Sequence, residues 1–74
     1  MTAHELGSIL NEMYNNAPDK DQVAMIHLFA IKYAHEIIGK HTATDIVKAS
    51  GINPSYATEV NKGLRLSKYV KPID

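Results

Sequence analysis

Apolar residues recur along most of the chain at the spacing of a helix face, and polar punctuation divides them into four runs. In the first, Leu6, Ile9, Leu10, Met13 and Tyr14 follow at intervals that place them on one stripe of a helix over residues 3–15. Thr2-Ala3-His4-Glu5 has the form of a capping box, the Thr2 hydroxyl accepting from the Glu5 amide while Glu5 reaches back. Asn15-Asn16 and Pro18 end this run, since Asn tolerates turn geometry and the residue before a proline avoids helix.

The second run is the most apolar. Asp19 and Gln22 suggest another N-terminal box, nothing interrupts the helix before Ile38, and Gly39 is a natural stop, so one helix is expected over residues 20–38. Steps of about 100° put Val23, Ile26, Ala30, Tyr33, Ala34 and Ile37 on one face, widened by His27, Ile31 and Ile38. Lys32 and Glu36 mark the solvent side, yet Met25, Leu28 and Phe29 lie within it or at its margins. A helix apolar nearly all round is central to a core or covered by something else. A domain of this size buries only about 60–65% of its unfolded surface, so the favoured expectation is a homodimer contact through Met25, Leu28 and Phe29. The alternative is that the first helix and the C-terminal tail cover them within one chain.

The last two runs form a unit. Thr42 and Asp45 cap a helix over residues 43–50 that turns Ile46, Val47 and Ser50 inward and Thr44, Asp45 and Lys48 outward. Gly51 supplies the sharp turn, Ile52 is its apolar residue, Asn53 caps again, and Pro54 takes the first helical position, where its missing N–H is harmless. In the helix that follows, over residues 54–64, Ala57, Val60 and Leu64 share one face with Tyr56 at its edge. Ser55, Thr58, Glu59 and Lys62 share the other, bordered by Asn61. Gly63 either ends this helix or is carried inside a run to Ser67. Residues 67–74 alternate briefly and contain Pro72, which predicts a short extended tail with Tyr69 or Val70 packed on the body. The expected fold is all-α: one domain over residues 1–74, four helices, with a helix-turn-helix unit.

Composition refines this picture mainly through charge. The net charge of the 74 residues is zero, but it is unevenly spread. Residues 1–39 carry Lys20 and Lys32 against Glu5, Glu12, Asp19, Asp21 and Glu36; residues 40–74 carry Lys40, Lys48, Lys62, Arg65, Lys68 and Lys71 against Asp45, Glu59 and Asp74. Such asymmetry points to a polyanion partner for the basic half or to a solvated basic surface. The chain has no cysteine, no apolar run long enough to span a bilayer and no signal-peptide pattern in its first residues, so a cytoplasmic protein without membrane attachment is expected.

Catalysis finds little support. No carboxylate pair, activated nucleophile or Gly-rich phosphate loop is legible, and neither a cofactor nor a small-molecule substrate is expected. His27 and His35 fall two helical turns apart, roughly 12 Å, too far to share one metal ion even with His41 nearby. His27 reads instead as a core histidine with a hydrogen-bond partner.

The stretch DIVKASGINPSYATEVNKG, residues 45–63, resembles the helix-turn-helix of the Cro and phage-repressor (Xre-type) DNA-binding proteins. The matching positions are Val47, Gly51, Ile52, the Asn53-Pro54-Ser55-Tyr56 opening, Val60 and Gly63. Val47 stands where alanine is usual, and Ala57 where a larger aliphatic is common. The resemblance implies a small transcriptional regulator bound to double-stranded DNA, with the helix from Pro54 in the major groove. Ser55, Thr58, Glu59 and Lys62 would then face the bases, and Lys40, Lys48, Tyr56, Arg65 and Lys68 the phosphates. The other class consistent with this scaffold is a protein-interaction or dimerisation module that does not touch DNA.

Overall fold

The computed structural model describes residues 1–73; Asp74, the last residue of the expected tail, lies outside them. Five helices follow in order: α1 (Ala3–Asn15), α2 (Gln22–Lys32), α3 (Ala34–Ile37), α4 (Ala43–Ser50) and α5 (Ala57–Leu66), with a 3-10 turn at Pro54–Tyr56 leading into α5. The described residues contain no strand.

Local chemistry accounts for most of the helix starts. Thr2 and Glu5 form the full capping box, with bonds of 3.0 Å from the Glu5 amide to the Thr2 hydroxyl and 2.8 Å from the Thr2 amide to the Glu5 carboxylate. Thr42 likewise accepts from the Asp45 amide at 3.1 Å. The box expected at Asp19 and Gln22 does not form. A turn intervenes, in which the Asp21 amide donates to the Pro18 carbonyl and Lys20 adopts a left-handed φ of 60°, so α2 starts at Gln22 without a side-chain cap.

The helix expected over residues 20–38 is in fact two. Tyr33, at φ −108° and ψ 17°, ends α2 and precedes α3. Its carbonyl accepts from both Glu36 and Ile37, which tightens the turn, while its ring packs against Phe29 with centroids 5.5 Å apart. Beyond the break Ala34 and Ile37 enter the core and Ile38 is turned out to solvent.

One cluster forms the core: Leu6 and Leu10 from α1, Ile26, Phe29 and Ala30 from α2, Ile37 from α3, Ala43, Ile46 and Val47 from α4, and Val60 from α5. Phe29 is 0% exposed, so it is a core residue and not a dimer contact. On a helix wheel it lies only about 60° from Ile26, at the edge of the buried face, and a ring that long reaches inward from there. Met25 and Leu28 are half-buried, which leaves the expected contact without its largest member. Val23, assigned to the core face, is exposed because it lies in the first turn of α2.

α4 packs along α1 and α5 along α2, and each pairing closes on a glycine. A Cβ on Gly7 would stand 2.7 Å from the Ala49 Cβ and 2.8 Å from the Ser50 nitrogen; one on Gly63 would stand 2.6 Å from the Ala30 Cβ and 2.8 Å from the His27 carbonyl oxygen. Gly63 is therefore buried inside α5 and ends nothing. The expected tail is also different. Residues 67–69 continue α5 as a turn, and neither Tyr69 nor Val70 is buried; Tyr69 is 81% exposed.

Candidate nucleic-acid interface

The unit from Thr42 to Leu66 is built as its residues demand. Gly51, at φ 78°, takes the left-handed position that ends α4, where a side chain would be strained. The buried Ser50 hydroxyl donates to the Val47 carbonyl at 2.6 Å and accepts from the Ile52 amide at 3.2 Å, which stitches the turn from within. Asn11 of α1 donates to the Ser50 carbonyl at 2.9 Å and ties that turn to the N-terminal half. Asn53 then accepts from the Ser55 amide at 2.9 Å, and Pro54 opens the turn into α5.

α5 turns Val60 and Gly63 inward and leaves Ala57 and Leu64 half-buried on their flanks. Its outer face carries Thr58, Asn61, Lys62 and Arg65, with Ser55 exposed just ahead of it. Thr58, Asn61 or Lys62, and Arg65 repeat at the three- and four-residue spacing that keeps side chains on one side of a helix. Asn61 thus stands on this outer face itself, not at its border. Arg65, assigned to phosphate contact, lies in line with the residues assigned to bases. Lys40, Lys48 and Lys68 are all exposed around the unit.

Two assigned residues are placed otherwise. Glu59 does not look outward: its Oε1 is 2.7 Å from the His27 Nε2, its Oε2 is 3.4 Å from the Lys62 ammonium, and its side chain is 22% exposed. An ionised carboxylate only accepts, so the His27 Nε2 carries the hydrogen of that bond. The partner expected for His27 is therefore Glu59, a residue whose spacing predicts the outward, base-facing side of the second helix. Tyr56 is half-buried against Tyr14, ring centroids 5.4 Å apart and hydroxyls 3.4 Å apart, so its hydroxyl is engaged within the fold. That shared bond pushes the Tyr14 hydroxyl above its ordinary pKa.

The hydrogen bond from His27 holds the Glu59 carboxyl below the usual carboxylate range, and the Lys62 charge acts in the same direction. A folded-state pKa below the unfolded value stabilises the fold above the unfolded value, and this contribution fades as pH falls through the folded one. Glu59→Gln should therefore melt below the wild type at pH 7, with the gap in melting temperature closing as the pH falls from about 4.3. Thermal unfolding at pH 7, 5 and 3 checks this; a gap that stays constant would exclude the ionised pair as its source.

The remaining histidines do not gather around a common point. The His41 Nε2 lies 2.7 Å from the Met1 carbonyl oxygen, and His35 is exposed on α3. Among the described residues no three His, Asp or Glu side chains stand together as metal ligands would, and no helix is long and apolar enough to cross a membrane.

Residues 2–73 match the family model described as an HTH-like domain. No curated protein and no solved structure matches the chain.

Proposed function

The chain belongs to the HTH-like domain family, and on that premise we propose that it binds double-stranded DNA with α5 in the major groove, as a small transcriptional regulator. One observation carries this reading: the outer face of the second helix of the unit is a continuous polar strip, Ser55, Thr58, Asn61, Lys62 and Arg65, that the fold leaves uncovered. Ser55 and Thr58 lie toward the N-terminal end of the helix, which such domains insert closest to the base edges. Hydroxyls bond to several bases, Asn61 suits adenine, and Lys62 and Arg65 suit guanine or the phosphates that flank it. Lys40, Lys48 and Lys68 position the domain through phosphates. Glu59 contributes indirectly, by fixing α5 to α2 through His27. In this reading the domain works by binding rather than by chemistry, on a plan like that of the Cro and phage-repressor proteins.

The test is titration of a mixed duplex pool across a salt series. Lys62→Gln with Arg65→Gln should lower the slope of log affinity against log salt by about two, one for each lost cation. Lys62→Glu with Arg65→Glu should remove measurable binding at low salt. An unchanged affinity in the charge-reversed protein would end the reading.

A further inference from the structure

The end of α5 carries an apolar pair that DNA reading does not use. Leu66 and Tyr69, one turn apart, are both exposed, and with Lys62, Arg65 and His27 of α2 they line an open groove of about 400 Å³. We propose that this groove is a binding site for small amphipathic organic anions, an apolar or aromatic body bearing one carboxylate, sulfonate or phosphate.

The size is within the range of small-ligand pockets, roughly 300–1,000 Å³. Leu66 and Tyr69 supply an aliphatic surface and a ring face for an apolar body, and the tyrosine hydroxyl stays wet at the rim. The polar end is set by the cations. No acidic residue lines the groove. Among the described residues Arg65 has no acidic partner, so its planar fork of donors is free for an oxyanion. Lys62 meets only the outer oxygen of Glu59, at 3.4 Å, a weak exposed pair that a second anion can share. The other oxygen of Glu59 is held by His27, and Glu59 itself does not line the groove. A neutral apolar molecule would leave the two cations unused, and a bare inorganic anion would leave Leu66 and Tyr69 uncovered. Only a molecule with both parts meets the whole surface.

Such a ligand would cover Lys62 and Arg65. Resting on the duplex reading given above, this makes ligand and DNA mutually exclusive, so that the ligand acts as a releasing effector.

The experiment uses the full chain and two fluorescent probes that share one ring system: 8-anilino-1-naphthalenesulfonate, and N-phenyl-1-naphthylamine, which lacks the sulfonate. The sulfonate probe should bind saturably at one site and shift backbone amides of residues 62–69 and His27. Lys62→Gln with Arg65→Gln should weaken it by about tenfold or more, the effect of losing two charge-assisted bonds, while changing the neutral probe by less than about twofold. Tyr69→Ala should weaken both probes, with the fold of each variant checked by circular dichroism. Equal sulfonate binding in the double variant, or amide shifts elsewhere on the protein, would overturn the site. Added duplex should displace the probe; a probe that binds as described but is untouched by bound duplex supports the groove and overturns the placement of Lys62 and Arg65 on DNA.

Discussion

Phe29→Ala is expected to cost about 3–5 kcal/mol, a large share of the 5–15 kcal/mol that holds a typical domain folded. The ring is wholly buried in a single core cluster built from all five helices, and it packs on Tyr33 at the break between α2 and α3. Its removal leaves a cavity that the short α3 can close only by shifting, and the loss of ring contacts adds to the loss of transfer energy. Urea unfolding measures the cost directly. Val23→Ala is the matching control: Val23 shares the helix and the apolar character but is exposed, so it should stay within about 0.5 kcal/mol. If Phe29 lay between two copies instead, the variant would lose association and keep its stability at low concentration; that outcome would contradict its place in the core.

The second large effect is expected at Gly63. Replacing glycine by alanine inside a helix ordinarily stabilises it, by up to about 1 kcal/mol. Here the sign should reverse. The new methyl would stand 2.6 Å from the Ala30 Cβ and 2.8 Å from the His27 carbonyl oxygen, and the latter belongs to backbone that cannot swing aside. α5 must then lift from α2, which costs about 1–3 kcal/mol as overpacking. The lift also lengthens the 2.7 Å bond from His27 to Glu59. Adding Ala30→Gly should recover part of the loss, because it clears the methyl contact but not the carbonyl one; a double-mutant cycle separates the two. A stabilised Gly63→Ala would show that the helices do not approach this closely.

These two residues also mark where the sequence stops being legible. Most signals that act within a few residues read correctly: the Thr2–Glu5 box, the Thr42 and Asn53 caps, the left-handed Gly51, and Pro54 at the entry to the second helix of the unit; the Asp19–Gln22 box, displaced by the turn at Pro18–Asp21, is the exception. Signals that depend on a distant neighbour did not. Phe29 sits at the edge of its helix face, where angle alone cannot assign a side. Tyr33 carries no breaker chemistry, and the break there accompanies the burial of Phe29, Ala34 and Ile37. Glu59 lies on a polar face by periodicity and is drawn toward α2 by His27, 32 positions away. Gly7 and Gly63 look like weak points in two helices until the neighbours that touch them are known. Much the same applies to the candidate interface: its exposed strip was legible apart from Glu59 and Tyr56, both of which are held by partners from the other half of the chain.

The close seating of Gly63 on α2 has a further consequence. Because the outer helix of the unit rests directly against the backbone at His27, its tilt follows α2 more than it follows α4. A change on α2 that never meets a ligand acts on the outer helix as a lever does on its far arm, swinging Thr58, five residues from the Gly63 contact, through a wider arc than Arg65, two residues from it. Selection on a handful of α2 positions could thus retune what this surface recognises while its own residues stay the same.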